Sequence, residues 1–146
     1  IANKVTSISS SSTDLQYPSA KLLFDSLALK NDIYEKIKVL TESSGNYAIT
    51  LEESYRCYKI VPTADFTVSF DISQLNIPTN TMFSFYLLID ESAASNSWQV
   101  TQWGTGSNVQ WGNTSPTMTA MVKYLFSFTT FDGGQTWVAN QMFSFQ

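Results

Sequence analysis

The chain has 146 residues, a formal net charge of -4 at pH 7, no histidine, one cysteine and only 14% charged residues. Without histidine there is no Ser-His-Asp triad, no Cys-His dyad and no imidazole metal ligand. One cysteine makes neither an intrachain disulfide nor a thiolate zinc cage, and a pI near 4.5 argues against a basic nucleic-acid face. The charged fraction falls well below the roughly 25% of ordinary soluble domains. Uncharged polar groups, or other chains, must therefore cover part of this surface. The chain begins at Ile1 rather than Met, as expected of a processed protein or a fragment. Its polar opening is no signal peptide, and no run of about 20 apolar residues offers a membrane span.

Residues 1–17 read as an extended polar lead-in, with Val5 and Ile8 among Ser and Thr. The run from Ser9 to Ser12 fits either a flexible linker or an uncharged strand packed on other chains. A helical stem is expected over 18–44. Pro18 suits a first helical position, Thr13 and Asp14 precede it, and residues 20–40 hold no Gly or Pro. Leu22, Leu29, Ile33 and Leu40 are spaced by seven, four and seven, and Leu23, Leu27, Tyr34 and Ile37 form an adjacent stripe. Together they make a wide apolar face that must pack on the second half of the chain or on copies of itself. The near-heptad rhythm favours copies, although Ser26 and Lys36 interrupt the seam.

The composition changes at Ser44-Gly45-Asn46, which reads as a turn or short linker. Residues 1–46 hold five basic and five acidic residues; residues 47–146 hold three and seven, and eighteen of the 21 aromatics. Beyond the break, apolar residues alternate. Phe66, Val68, Phe70 and Ile72 share one face, as do Phe83, Phe85, Leu87 and Ile89, then Tyr124, Phe126 and Phe128, then Trp137, Ala139, Phe143 and Phe145. Shorter strands are expected at 47–51, 55–61, 98–103 and 108–111. Turn signals separate them, and Asp132-Gly133-Gly134 between aromatic strands marks a hairpin. About eight short strands in 100 residues predict a mainly β head at 45–146, an antiparallel, jelly-roll-like β-sandwich.

Asp65, Asp71, Asp90, Glu91 and Asp132 have no spacing that pairs them for acid-base catalysis, and no DxDxDG-like calcium loop is present. No catalytic residue, metal or cofactor is expected. Trp98, Trp103 and Trp111 lie within fourteen positions, in a stretch rich in Gly, Ser, Asn and Gln. An exposed Trp can stack on a sugar while amides bond its hydroxyls. Trp111 and Trp137 are expected in the core. Trp98 and Trp103, flanked by Gln99 and Gln102, stay open between core and sugar platform, and these four residues are the glycan-binding candidates. Cys57 is expected as a small buried residue rather than a reactive thiol.

Two long stretches carry a resemblance. Residues 4–27, KVTSISSSSTDLQYPSAKLLFDSL, resemble a segment recurrent in tailed-phage virion proteins. Residues 109–137 resemble a second one, through Val109, Trp111, Pro116, Thr117, Thr119, Tyr124, Phe126, Phe128, Asp132, Gly133, Gly134, Thr136 and Trp137. Asn113-Thr114-Ser115 stands where that pattern has a glycine. The two cover over a third of the chain. The resemblance implies the distal module of a tail fibre, head fibre or baseplate-type appendage: a homotrimer on the exterior of the virion, with a coiled-coil stem and β-sandwich heads. Leu22, Leu29, Ile33 and Leu40 then become trimerisation candidates. The implied partners are other virion proteins, met through the region preceding Ile1, and a host-surface glycan or protein. No nucleic acid, membrane insertion or enzyme activity is implied. Two rival expectations remain: a monomeric carbohydrate-binding module, and a purely structural decoration of capsid or tail.

Overall fold

The computed structural model describes residues 36–106, 108–112 and 114–146. The lead-in, the stem as far as residue 35 with Leu22, Leu29 and Ile33, and Asn113 of the second motif lie outside the described residues. The described chain is mainly β. Its nine strands are β1 (Ile37–Val39), β2 (Asn46–Thr50), β3 (Cys57–Ile60), β4 (Phe66–Asp71), β5 (Thr79–Asp90), β6 (Val100–Trp103), β7 (Val109–Trp111), β8 (Lys123–Asp132) and β9 (Trp137–Phe145).

The strands form a six-stranded sheet, ordered β1-β3-β5-β8-β9-β7, and a three-stranded sheet, ordered β2-β4-β6. From β1 to β7 the chain changes sheet at every strand. Each return runs in the same direction, so β1–β3, β3–β5, β2–β4 and β4–β6 are all parallel, and so is β7–β9. A parallel pair needs a crossover, which a helix usually supplies. Here a strand of the opposite sheet is the crossover. Only β5–β8 and β8–β9 are antiparallel. The antiparallel, jelly-roll-like expectation is therefore corrected: the sheets are mixed, and the first six strands wind as a coil. Alternating burial looks the same in parallel and antiparallel strands, so period two carries no direction.

Residues 37–39, expected as the end of the stem, form β1 instead. Ile37 and Val39 are β-branched, and the parallel ladder to β3 satisfies their backbone. Lys38 forms an ion pair with Glu52. Leu40 is not on a helical seam: its N–H donates to Lys59 O at 2.8 Å, and its side chain packs against the head's core. A two-residue turn follows at Ser44 (φ 53°) and Gly45 (φ 77°), closed by reciprocal Ser43–Asn46 hydrogen bonds of 2.9 and 3.0 Å. Two successive positive φ values fit the tight reversal between antiparallel segments.

Aromatic rings join the two sheets. Phe70 of β4 meets Phe85, Phe128 and Trp137 of the larger sheet at 5.2, 5.0 and 5.5 Å between centroids. Trp103 of β6 meets Trp111 and Phe126 at 5.0 and 5.1 Å. Phe85 and Phe128 are cross-strand partners and stack at 5.0 Å. The hairpin at Asp132-Gly133-Gly134 forms as expected, with both glycines at positive φ. Thr130 Oγ1 sits inside it, donating to Asp132 Oδ1 and accepting the Gly134 N–H at 2.9 Å.

One expected face is corrected in β9. Trp137 and Ala139 are buried, but Phe143 and Phe145 are exposed. The register steps from Phe126↔Gln141 to Leu125↔Phe143, which leaves Met142 as an extra residue. A bulge of one residue reverses every later side chain. Phe143 and Phe145 therefore share the outer face with Leu125 and Lys123.

Candidate functional site

Three places on this scaffold are chemically distinctive. The first lies where β5 ends. Asp90 pairs with Lys59 at 2.7 Å and more loosely with Lys123 at 4.0 Å. Burial alone would raise its pKa, but hydrogen bonds from Lys59 and Ser92 and the Lys59 charge bring it down to about 2. Glu91, next in sequence, is wholly buried. Burial pushes its carboxyl up to about 6, against the Trp98 N–H donated to Oε1 at 3.2 Å and with the Asp65 charge adding to the rise. Its Oε2 has no partner among the described residues. Asp90 serves an outer ion pair while Glu91 ties a loop from within, so the two acids hold separate positions rather than one catalytic opening.

That loop carries the glycan candidates, and the structure separates them. Trp98 is half-buried and lines a cleft of about 300 Å³ with Val61, Pro62, Asp90, Ala94 and Ser95. Gln99 is committed to the fold. Its Nε2 donates to Met118 O and its Oε1 accepts the Met118 N–H, both at 3.0 Å, and its own N–H donates to Asp65 Oδ1. Gln102 is exposed, and its Nε2 reaches Gly104 O at 3.4 Å. Trp103 is 8% exposed and belongs to the core, so it is not a sugar platform. Gln102 points the opposite way, and the extra residue Thr101, where β6 steps from Phe66↔Val100 to Thr67↔Gln102, turns Trp103 inward. Trp137 is in the core as expected, whereas Trp111 is only half-buried.

The second place is a cleft of about 390 Å³ beside Trp111, lined by Thr114, Ser115, Pro116, Thr117, Ala139, Asn140 and Gln141. No spacing in the sequence brings these residues together. The local signal is the polar Asn140-Gln141 pair within a strand that is otherwise apolar but for Ser144.

The third place is the outer face of the six-stranded sheet. Register alignment runs Val39↔Lys59↔Leu88↔Leu125↔Phe143 across five strands. A neighbouring row runs Ile37↔Cys57↔Tyr86↔Ser127↔Asn140. Directly opposed residues share a face. The first row is thus apolar except for Lys59, whose charge is paired with Asp90. Its two ends are open, Val39 at 64% and Phe143 at 53% exposure.

No family model, curated protein or solved structure matches the chain.

Proposed function

We propose that this chain is a structural and adhesive domain of a tailed-phage virion fibre. It assembles as a homotrimer and presents β heads for attachment to the host surface, on the exterior of a head or tail fibre. The observation that carries this reading is the apolar row from Val39 to Phe143 on the outer sheet face. A sheet face of this width, whose charges Lys59 and Lys123 are gathered around Asp90, is the kind of surface that copies of a chain bury against one another. The two phage-like sequence stretches and the apolar repeat of Leu22, Leu29 and Ile33 support the same assembly. Attachment fits a fibre because three weak sites on one particle gain about 10²–10⁴-fold in apparent affinity.

Sedimentation equilibrium at micromolar concentration tests the assembly. The expected mass is three times the 16.3 kDa of one chain. Replacing Leu29 and Ile33 together by Asp should lower it toward one chain. A wild-type monomer sinks the fibre reading. A trimer indifferent to that double variant removes the upstream repeat from the seam and leaves the sheet face as its basis.

A further inference from the structure

We propose that the cleft beside Trp111 is a binding site for an uncharged saccharide, one or two sugar rings in size. This rests on the adhesive reading above and names the ligand class that reading leaves open.

The cleft exists because two neighbouring strands differ in length. β7 pairs with β9 only from Val109↔Trp137 to Trp111↔Ala139. Beyond Ala139, residues 140–145 of β9 have no β7 residue beside them. The chain leaves at Gly112, whose N–H donates to Ala139 O at 3.2 Å, and the 114–117 segment borders the gap. Gly112 allows this arrangement. A Cβ there would lie 2.8 Å from Asn140 Oδ1, so any larger residue would push the carboxamide away.

The lining suits a sugar. Trp111 is held by ring contacts to Trp103, Phe126 and Phe128 at 5.0, 5.8 and 6.1 Å. Its indole is thus fixed before a ligand arrives, and little side-chain entropy is lost on stacking. The same cleft is lined by three hydroxyl residues, Thr114, Ser115 and Thr117, and by two carboxamide residues, Gln141 on the side of the sheet that Trp111 faces and Asn140 on the outer side. None of these five side chains makes a hydrogen bond to another described residue. Gln99, by contrast, spends both ends of its amide on Met118. An aromatic plane with uncommitted donors and acceptors beside it matches the apolar face and hydroxyl edge of a pyranose.

The same lining selects against charged ligands. Among the described residues no Asp, Glu, Lys or Arg borders the cleft. A phosphate or a sialic-acid carboxylate would have no counter-charge there. The volume lies at the small end of ligand pockets, about 300–1,000 Å³, which limits the ligand to one or two rings.

The test uses the full chain in its native assembly. The probes are the methyl glycosides of glucose, galactose, N-acetylglucosamine and N-acetylgalactosamine, with lactose and 3′-sialyllactose, followed by saturation-transfer NMR. At least one neutral probe should bind, and Asn140→Ala with Gln141→Ala should weaken it about tenfold or more. Both side chains are exposed, so this variant should keep its fold, which its circular dichroism and melting temperature verify. Gly112→Ala, which displaces Asn140, should weaken binding as well. Binding that survives the double variant unchanged overturns the site, and 3′-sialyllactose bound better than lactose overturns the ligand class. A trimer that binds none of the neutral probes removes the cleft and keeps the fibre. A monomer that binds through Asn140 and Gln141 keeps the cleft and removes the fibre.

Discussion

Glu91 is the residue whose ionisation the fold opposes. Its carboxyl is buried, tied to the Trp98 N–H through one oxygen, and raised from the ordinary 4.5 to about 6. The native state therefore holds the proton more tightly than the unfolded chain. Glu91's contribution is full below pH 4.5, falls as pH rises through 6, and is constant above that. The loss amounts to about 2 kcal/mol. Asp90 and Asp132 act in the opposite sense. Asp132 is lowered to about 2 by the Thr136 hydroxyl and N–H, then by Thr130, against slight burial and with the Gln135 N–H helping. Their contributions are present above the ordinary 3.8 and are lost as pH falls toward 2. Among these three groups only Glu91 titrates between pH 4.5 and 7. Urea midpoints at those two pH values should therefore converge in Glu91→Gln relative to the wild type. Parallel pH profiles for the two proteins would refute the assignment. The sequence already set Glu91 at a strand end but gave no sign of its burial, because the loop that covers it returns from Trp98 and from 118–122. Trp103 was misleading for a related reason. In a regular strand it would share a face with the exposed Thr101, and the extra residue where β6 steps from Phe66↔Val100 to Thr67↔Gln102 turns it to the core instead.

At the scale of elements, the strands themselves were legible. The alternating runs at 66–72, 82–89 and 121–130 became β4, β5 and β8 with the expected residues inward. Pairing was not legible. Nothing local distinguishes a strand that returns beside its neighbour from one that crosses to another sheet. Nor could the pattern of 137–145 reveal that an extra residue opposite Leu125/Phe126 would turn Phe143 outward. β1 went unseen because Ile37 and Leu40 fit a helical stripe equally well, and the ladder to β3 decided between them. Turns were better marked, and one offers a controlled comparison. Gly104 and Gly106 flank Thr105 with nearly equal φ, 73° and 70°. A Cβ at Gly106 meets nothing within 4 Å, whereas one at Gly104 would stand 2.3 Å from Asn108 Oδ1 and 2.5 Å from Val109 Cγ2. Gly106→Ala should lose about 1 kcal/mol, the strain of a positive φ alone. Gly104→Ala carries that strain plus displacement of Asn108 and of β7, and should lose at least twice as much. Chemical denaturation of both variants measures the difference, and equal losses would mean that the close approach at Gly104 is relieved without cost.

For the whole molecule, the low charge content acquires a location. Residues 47–146 carry only ten charged groups, and Lys59 and Lys123 are gathered around Asp90 at one end of the outer sheet face. The remainder of that face presents the apolar Ile37, Val39, Leu88, Leu125 and Phe143 beside the uncharged Cys57, Tyr86, Ser127 and Asn140. Such a surface is suited to burial, since an unpaired charge placed there would be desolvated without compensation. Phe143 and Val39 probe this directly, because each is more than half exposed and neither supports the core. Phe143→Asp and Val39→Asp should leave the melting of the isolated head nearly unchanged. If the face is shared between copies, each substitution should weaken association by about 100-fold or more, the consequence of burying a lone carboxylate. Sedimentation at several concentrations reads this as a shift from trimer toward monomer. Ala48→Asp is the control: Ala48 is exposed on β2, in the three-stranded sheet, away from the face that holds Val39 and Phe143. Equal loss of association in all three variants would mean general destabilisation, and unchanged association in the first two would exclude this face from the contact between chains.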